Sequence, residues 1–206
     1  AYYGRHLRKL YTKQEMRWPA GEQFWYNNAN TGILAWVLER ATGMTVSQLL
    51  QEQLWQPLGM QGQAEWALDR KGGSEKAFCC IYARARDLAR WGRLHLHEGV
   101  WQGQQLLPEG WVARTREVDT TQASAWDYQY HWHNFGHRYG FLVSGLFNQH
   151  IFYSPQDDII IVHFSGRDKG QMGMTGYWHR DAFQQIVDYL NMKQQPGQPR
   201  PYSAGR

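Results

Sequence analysis

Tyr26 and Asn28 stand two residues apart in Trp25-Tyr-Asn-Asn, directly ahead of the patterned run Gly32-Ile-Leu-Ala-Trp-Val-Leu-Glu-Arg-Ala-Thr-Gly43. A phenol and a carboxamide are thereby held at the mouth of a helix, and both groups can donate and accept hydrogen bonds. Other sets of residues invite a chemical reading and answer it less well. His131 and His133 point to one face of a strand and, with His137, offer three imidazoles, yet no Asp, Glu or Cys lies at metal-ligand spacing, so packing along a cleft wall is the expectation. His95 and His97 end a helix, where an imidazolium favours the negative dipole end, and are expected at the surface. Asp157 and Asp158 form a hydrated hairpin-tip pair rather than an acid and base. Cys79 and Cys80 are adjacent, and a ring closed across one peptide is strained, so two small buried apolar side chains are expected in place of a disulfide. No Gly-x-Ser-x-Gly nucleophile elbow occurs.

The elements that must position these groups are legible from periodicity. Ile33, Leu34, Trp36, Val37 and Leu38 predict a helix over 29–42, capped by Asn28 or Asn30 and ended by Gly43. Thr45 and Gln48 spell a capping box for a second helix through Leu49, Leu50 and Leu54, stopped by Pro57. A polar loop over 69–76 precedes a helix from Ala83 to His97, and Pro108 opens a short one. Strands are expected at 128–133, 141–146, 150–154 and 159–164, the last two joined by a hairpin at Pro155-Gln-Asp-Asp158, before a helix over 181–190. This order is α+β: a helical part over 1–127, an antiparallel sheet of about three or four strands with a closing helix over 128–191, and a loose tail over 192–206.

At 206 residues and 42% hydrophobic content the chain has the material for a core, and its 11 Trp and 12 Tyr favour a cleft-bearing protein. The net charge of +4 gathers near the two ends without a stripe or recognition motif, which argues against nucleic acid as a partner. No run of about 18 apolar residues is present to span a bilayer. Compartment stays open.

Five segments in order carry a resemblance that runs to about residue 191. They are Tyr26-Asn-Asn28, Leu54-Trp-Gln-Pro-Leu-Gly-Met60, Ala83-Arg-Ala-Arg-Asp-Leu-Ala-Arg-Trp-Gly-Arg-Leu94, Leu106-Leu-Pro-Glu-Gly-Trp-Val112 and the hairpin Asn148 to Val162. Together they resemble the penicillin-recognising serine hydrolases, the class C β-lactamase-like family, and within it the branch of 6-aminohexanoate-dimer hydrolases and esterases. The resemblance implies a β-lactamase/transpeptidase-like fold, an antiparallel sheet flanked by helices with a helical subdomain, here lacking its N-terminal part. It implies catalytic roles for Tyr26, as proton relay, and Asn28, as the amide that orients substrate and catalytic lysine. It aligns Val143-Ser144-Gly145 with the Lys- or His-x-Gly strand, so that Ser144 and Gly145 bind substrate and the Leu146 N–H completes an oxyanion hole; Trp132 is placed by position as a cleft residue, as is Phe147.

Two departures matter. Val143 stands where the family carries a cation, which disfavours β-lactams and peptide carboxylates and leaves an amide or ester as the small-molecule substrate. A relay without that cation is expected to work as a neutral phenol, because bringing a tyrosine from about 10 to about 7 takes roughly 4 kcal/mol. The family nucleophile, Ser-x-x-Lys, is absent: none of Ser47, Ser74, Ser124, Ser144, Ser154 and Ser165 has lysine three residues on. The expectation is therefore a C-terminal portion that associates with a missing N-terminal segment and is inactive alone; the alternatives are a non-catalytic binding protein of the same fold and a truncated reading frame. No metal and no organic cofactor is implied.

Overall fold

Asn27 decides where the first long helix begins. In the computed structural model, which describes residues 4–121, 124, 127–134, 140–166 and 176–193, its side chain accepts a hydrogen bond from the Ala29 N–H at 2.9 Å and caps α2, Asn28–Thr42. The cap is thus Asn27, not Asn28 or Asn30, because only the residue before the first helical turn has the extended backbone that aims its oxygen at an orphan amide. Gly43 ends the helix at φ 73°, a left-handed conformation that glycine adopts without strain. A short helix α1, Leu7–Tyr11, lies against α2, and the Tyr11 ring covers Gly32 so closely that a Cβ there would overlap it.

The chain packs as two units, residues 1–87 with 120–125 and residues 88–119 with 126–206. In the first, the expected Thr45–Gln48 capping box opens α3, Val46–Leu50, and a π-helical turn, Gln51–Trp55, follows. β1, Glu65–Trp66, pairs antiparallel with β2, Ile81–Tyr82. Between them Asp69 is almost fully buried; its carboxylate accepts from the Leu7 N–H at 2.8 Å and the Ser74 N–H at 3.0 Å, which ties the N-terminal helix to the loop. Burial pushes this carboxyl up, but those N–H donors and Arg70 outweigh burial and hold it below its ordinary value. Cys79 and Cys80 are half-buried and joined by a disulfide, against the expectation of two free apolar side chains. Cys80 adopts φ 72°, a left-handed turn that carries the two side chains toward each other.

The helix α4, Ala85–Leu96, starts within the first unit. Its Asp87 is 1% exposed and receives the backbone N–H groups of Gln61 and Gly62, each at 2.8 Å. The remaining turns belong to the second unit, with a small ribbon of β3, Val100–Trp101, and β4, Gln104–Gln105, and the short helix α5, Trp111–Arg116.

The main sheet has five antiparallel strands in sequence order: β5 (Tyr128–Gln129), β6 (Trp132–Asn134), β7 (Phe141–Gly145), β8 (Gln149–Ser154) and β9 (Ile159–His163). It exceeds the three or four strands expected because the stretch 128–133 is two strands, not one. Tyr130 and His131 both take positive φ, 48° and 68°, and fold it into a tight hairpin whose twist matches its strands. His131 therefore sits in a turn and shares no strand face with His133, while His137 lies outside the described residues. The sheet is covered on both sides. Phe183 and Val187 of α6, Gly176–Lys193, pack on Leu142 and Phe152. On the other face Trp132, Phe141 and Tyr153 pack with Trp91 and Leu96 of α4, which approaches closely at Gly92.

Candidate active site

Asn28 is the first residue of α2 and half-buried, and Tyr26, just outside the helix, is 65% exposed. Trp25 and Phe24 beside it are also exposed, with Trp25 tilted against Trp18 at 5.7 Å and the Arg17 guanidinium over both rings. The tyrosine thus stands in a solvent-facing aromatic segment directly before a fixed helix start. Because Asn27 supplies the cap, the Asn28 carboxamide is not consumed by it.

In the second unit, β7 carries Ser144 and Gly145 at its C-terminal end. β8 pairs with all five residues of β7, whereas β6 reaches only Phe141 and Leu142. Among the described residues the other edge of Val143, Ser144 and Gly145 has no strand partner, which is the geometry an extended substrate needs for backbone pairing. Leu146 opens the following turn and is 37% exposed; Phe147 and Asn148 complete it at φ 62° and 61°. Val143 is half-buried and packs on the Trp132–Phe141–Tyr153 cluster, so that a lysine there would place its stem against apolar rings.

Trp132 is 5% exposed inside that cluster, its ring 4.4 Å from His95 and 5.2 Å from Tyr153. It is a core residue here. His95 is a correction of the same kind: it is 2% exposed, not at the surface, with Nδ1 3.2 Å from the Trp91 carbonyl one turn back. Burial pushes its pKa down to about 4, so the ring is neutral and donates to that carbonyl. His97 is exposed as expected. Burial also drives the Tyr153 phenol up to about 12. Asp157 is not simply hydrated: Ser154 Oγ donates to it at 2.5 Å and Asn191 Nδ2 at 2.6 Å, binding α6 to the β8–β9 turn.

An open groove of about 400 Å³ in the first unit is lined by residues such as Trp55, Met60, Trp66 and Ile81 and includes neither Tyr26 nor Asn28. Sequence reading also missed a convergence of His150, His163 and His179. The signal was present in the hairpin register, which makes His150 and His163 direct partners, and in the helical spacing of His179 and Phe183.

An antiparallel sheet covered by helices on both faces, preceded in sequence by further helices, fits the β-lactamase/transpeptidase-like architecture. The β-lactamase family model matches residues 1–185, and the chain belongs to that family. It is 32% identical over 168 residues, 76% of its length, to the 6-aminohexanoate-dimer hydrolase of Paenarthrobacter ureafaciens, of which the match covers 42%. Its fold superposes with a TM-score of 0.81 and 26% identity on a Bacillus anthracis protein provisionally named a 6-aminohexanoate-dimer hydrolase, covering 92% of this chain and 50% of that one. A penicillin-binding protein from Bacillus halodurans shares the fold at a TM-score of 0.61 and 17% identity, with 88% and 64% covered. The chain spans about half the length of the hydrolase relatives it matches. No helix among the described residues is long and apolar enough to cross a membrane.

Proposed function

We propose that these 206 residues are the C-terminal part of a hydrolase that cleaves an amide or ester through an acyl-serine intermediate, with the nucleophile supplied by a Ser-x-x-Lys segment outside them. The observation that carries the reading is the Tyr26-x-Asn28 element, with Tyr26 exposed just ahead of α2 and the half-buried Asn28 carboxamide spared from capping. In this reading Tyr26 passes the serine proton to the leaving group as a neutral phenol, because Val143 brings no cation to draw its pKa down. Asn28 orients the substrate and the lysine. Ser144 and Gly145 pair with the substrate backbone along the edge that β6 leaves uncovered, and the Leu146 N–H stabilises the developing oxyanion, a contribution of about 3 kcal/mol for one such donor. Trp132, buried in the core, takes no direct part.

Support for a further segment comes from α2 itself. Leu34, Val37 and Leu38 fall at i, i+3 and i+4 and are each more than half exposed, an apolar helical stripe of the kind that another element covers. The test is the reading frame upstream of Ala1 followed by labelling of its product. An in-frame Ser-x-x-Lys and stoichiometric labelling of that serine by a fluorophosphonate, with no labelling of the 206-residue chain, is the expected result. An upstream frame without the motif, or labelling of a serine within these residues, defeats the proposal.

A further inference from the structure

Three imidazoles converge where α6 meets the β8–β9 hairpin, and one of them, His150, is the cross-strand partner of Ser144. His150 and His163 are cross-strand partners. His179 lies one turn before Phe183, whose ring is buried on this same sheet face. Ring centroids are 4.3 Å apart for His150 and His179, 5.6 Å for His163 and His179, and 5.9 Å for His150 and His163. One ligand-capable nitrogen from each lies within 4.8 Å of the other two.

His150 is 2% exposed, and among the described residues neither of its ring nitrogens has a hydrogen-bond partner. Buried polar atoms are rarely left so without a reason. His163 Nδ1 stands 2.9 Å from the Asn148 carbonyl, which can only accept. That nitrogen therefore donates, which leaves Nε2 as the ring nitrogen placed to ligate, the arrangement by which ligating imidazoles are oriented.

The geometry points to a site for one divalent transition-metal ion of the zinc class, ligated by His150, His163 and His179, that ties the first turns of α6 to the β8–β9 hairpin. Three imidazole nitrogens suit zinc, copper or nickel and not magnesium or calcium. Zinc–imidazole bonds of about 2.0–2.1 Å put tetrahedral ligand atoms about 3.3 Å apart, so the rings must draw in by roughly an ångström from their present spread. His179, half-buried near the start of its helix, is the ring best placed to do so. Water completes the coordination. His150 pairs across the strands with Ser144, yet none of the three ligands is a residue assigned above to the serine chemistry.

Chelator-stripped protein is dialysed against Zn²⁺, and Co²⁺ is then substituted to provide an optical signal from the ligand field. The expected result is one ion per chain, a higher Tm on addition of metal as for any ligand of the native state, and a Co²⁺ spectrum of nitrogen ligation. His179→Ala should weaken binding by more than about 100-fold and make Tm insensitive to metal while its circular dichroism is retained. His97→Ala, an exposed histidine elsewhere, should bind as the parent does. Absence of saturable binding, or binding that persists unchanged in both His163→Ala and His179→Ala, overturns the assignment.

Discussion

Asn27 commits its side-chain oxygen to the Ala29 amide, and that one hydrogen bond leaves the neighbouring Asn28 carboxamide out of the cap. Asn27→Ala should therefore lower stability by about 1 kcal/mol, the usual loss on removing a cap, with catalysis of the intact enzyme changed little; urea unfolding and steady-state kinetics read the two effects apart. Tyr26→Phe should do the reverse, reducing kcat/KM by about 10²- to 10⁴-fold, the range for a positioned proton-transfer group, while the unfolding midpoint holds because the ring is 65% exposed. His95 makes a pH prediction. Its folded pKa is about 4 against 6.5 in the unfolded chain, so between those values the unfolded state binds the extra proton and stability falls as pH falls. At pH 5 this one ring should cost about 2 kcal/mol relative to pH 7. His95→Phe, which keeps the aromatic packing on Trp132 and Tyr153, should flatten that part of the stability–pH curve measured by chemical denaturation.

Among the elements, α4 is anchored by one carboxylate. Asp87→Ala removes the acceptor of two backbone N–H groups, of which that of Gly62 is buried, and should destabilise by about 1–3 kcal/mol. Differential scanning calorimetry should show a Tm lower by several degrees; an unchanged Tm would mean that water replaces the carboxylate at no cost. The Cys79–Cys80 bond belongs to the loop before α4. Iodoacetamide should leave native protein unlabelled and add two carbamidomethyl groups after reduction, as read by intact mass; labelling without reductant would show free thiols.

For the molecule as a whole, the apolar stripe of α2 is a feature that the described core has not absorbed. Charged replacements at Leu34 and Val37 should shift the stability of the 206-residue chain by less than about 0.5 kcal/mol, as at other exposed sites. In a longer polypeptide that carries Ser-x-x-Lys, the same changes should cost about 1–3 kcal/mol by placing charge in a buried contact. Equal effects in both would remove the argument that another segment covers this face.

Local signals carried much of the fold. The Thr45–Gln48 capping box, the glycine stop at Gly43, the turn at 155–158 and the period of α4 act over three or four residues, and each appears within a residue or two of its expected place. The order of motifs along the chain likewise carries the family. What the sequence alone could not settle was burial and partnership between distant segments. Trp132 and His95 are core because α4 lies across the sheet at Gly92; Asp157 is bonded because α6 returns to the hairpin; and the hairpin at Tyr130–His131 arises from two positive φ angles in residues that carry no strong turn signal. His150, His163 and His179 became neighbours only through strand register and helix docking. Periodicity and capping are properties of adjacent residues and so are written in the chain, whereas desolvation and the meeting of side chains depend on which surfaces pack, and that is decided in three dimensions.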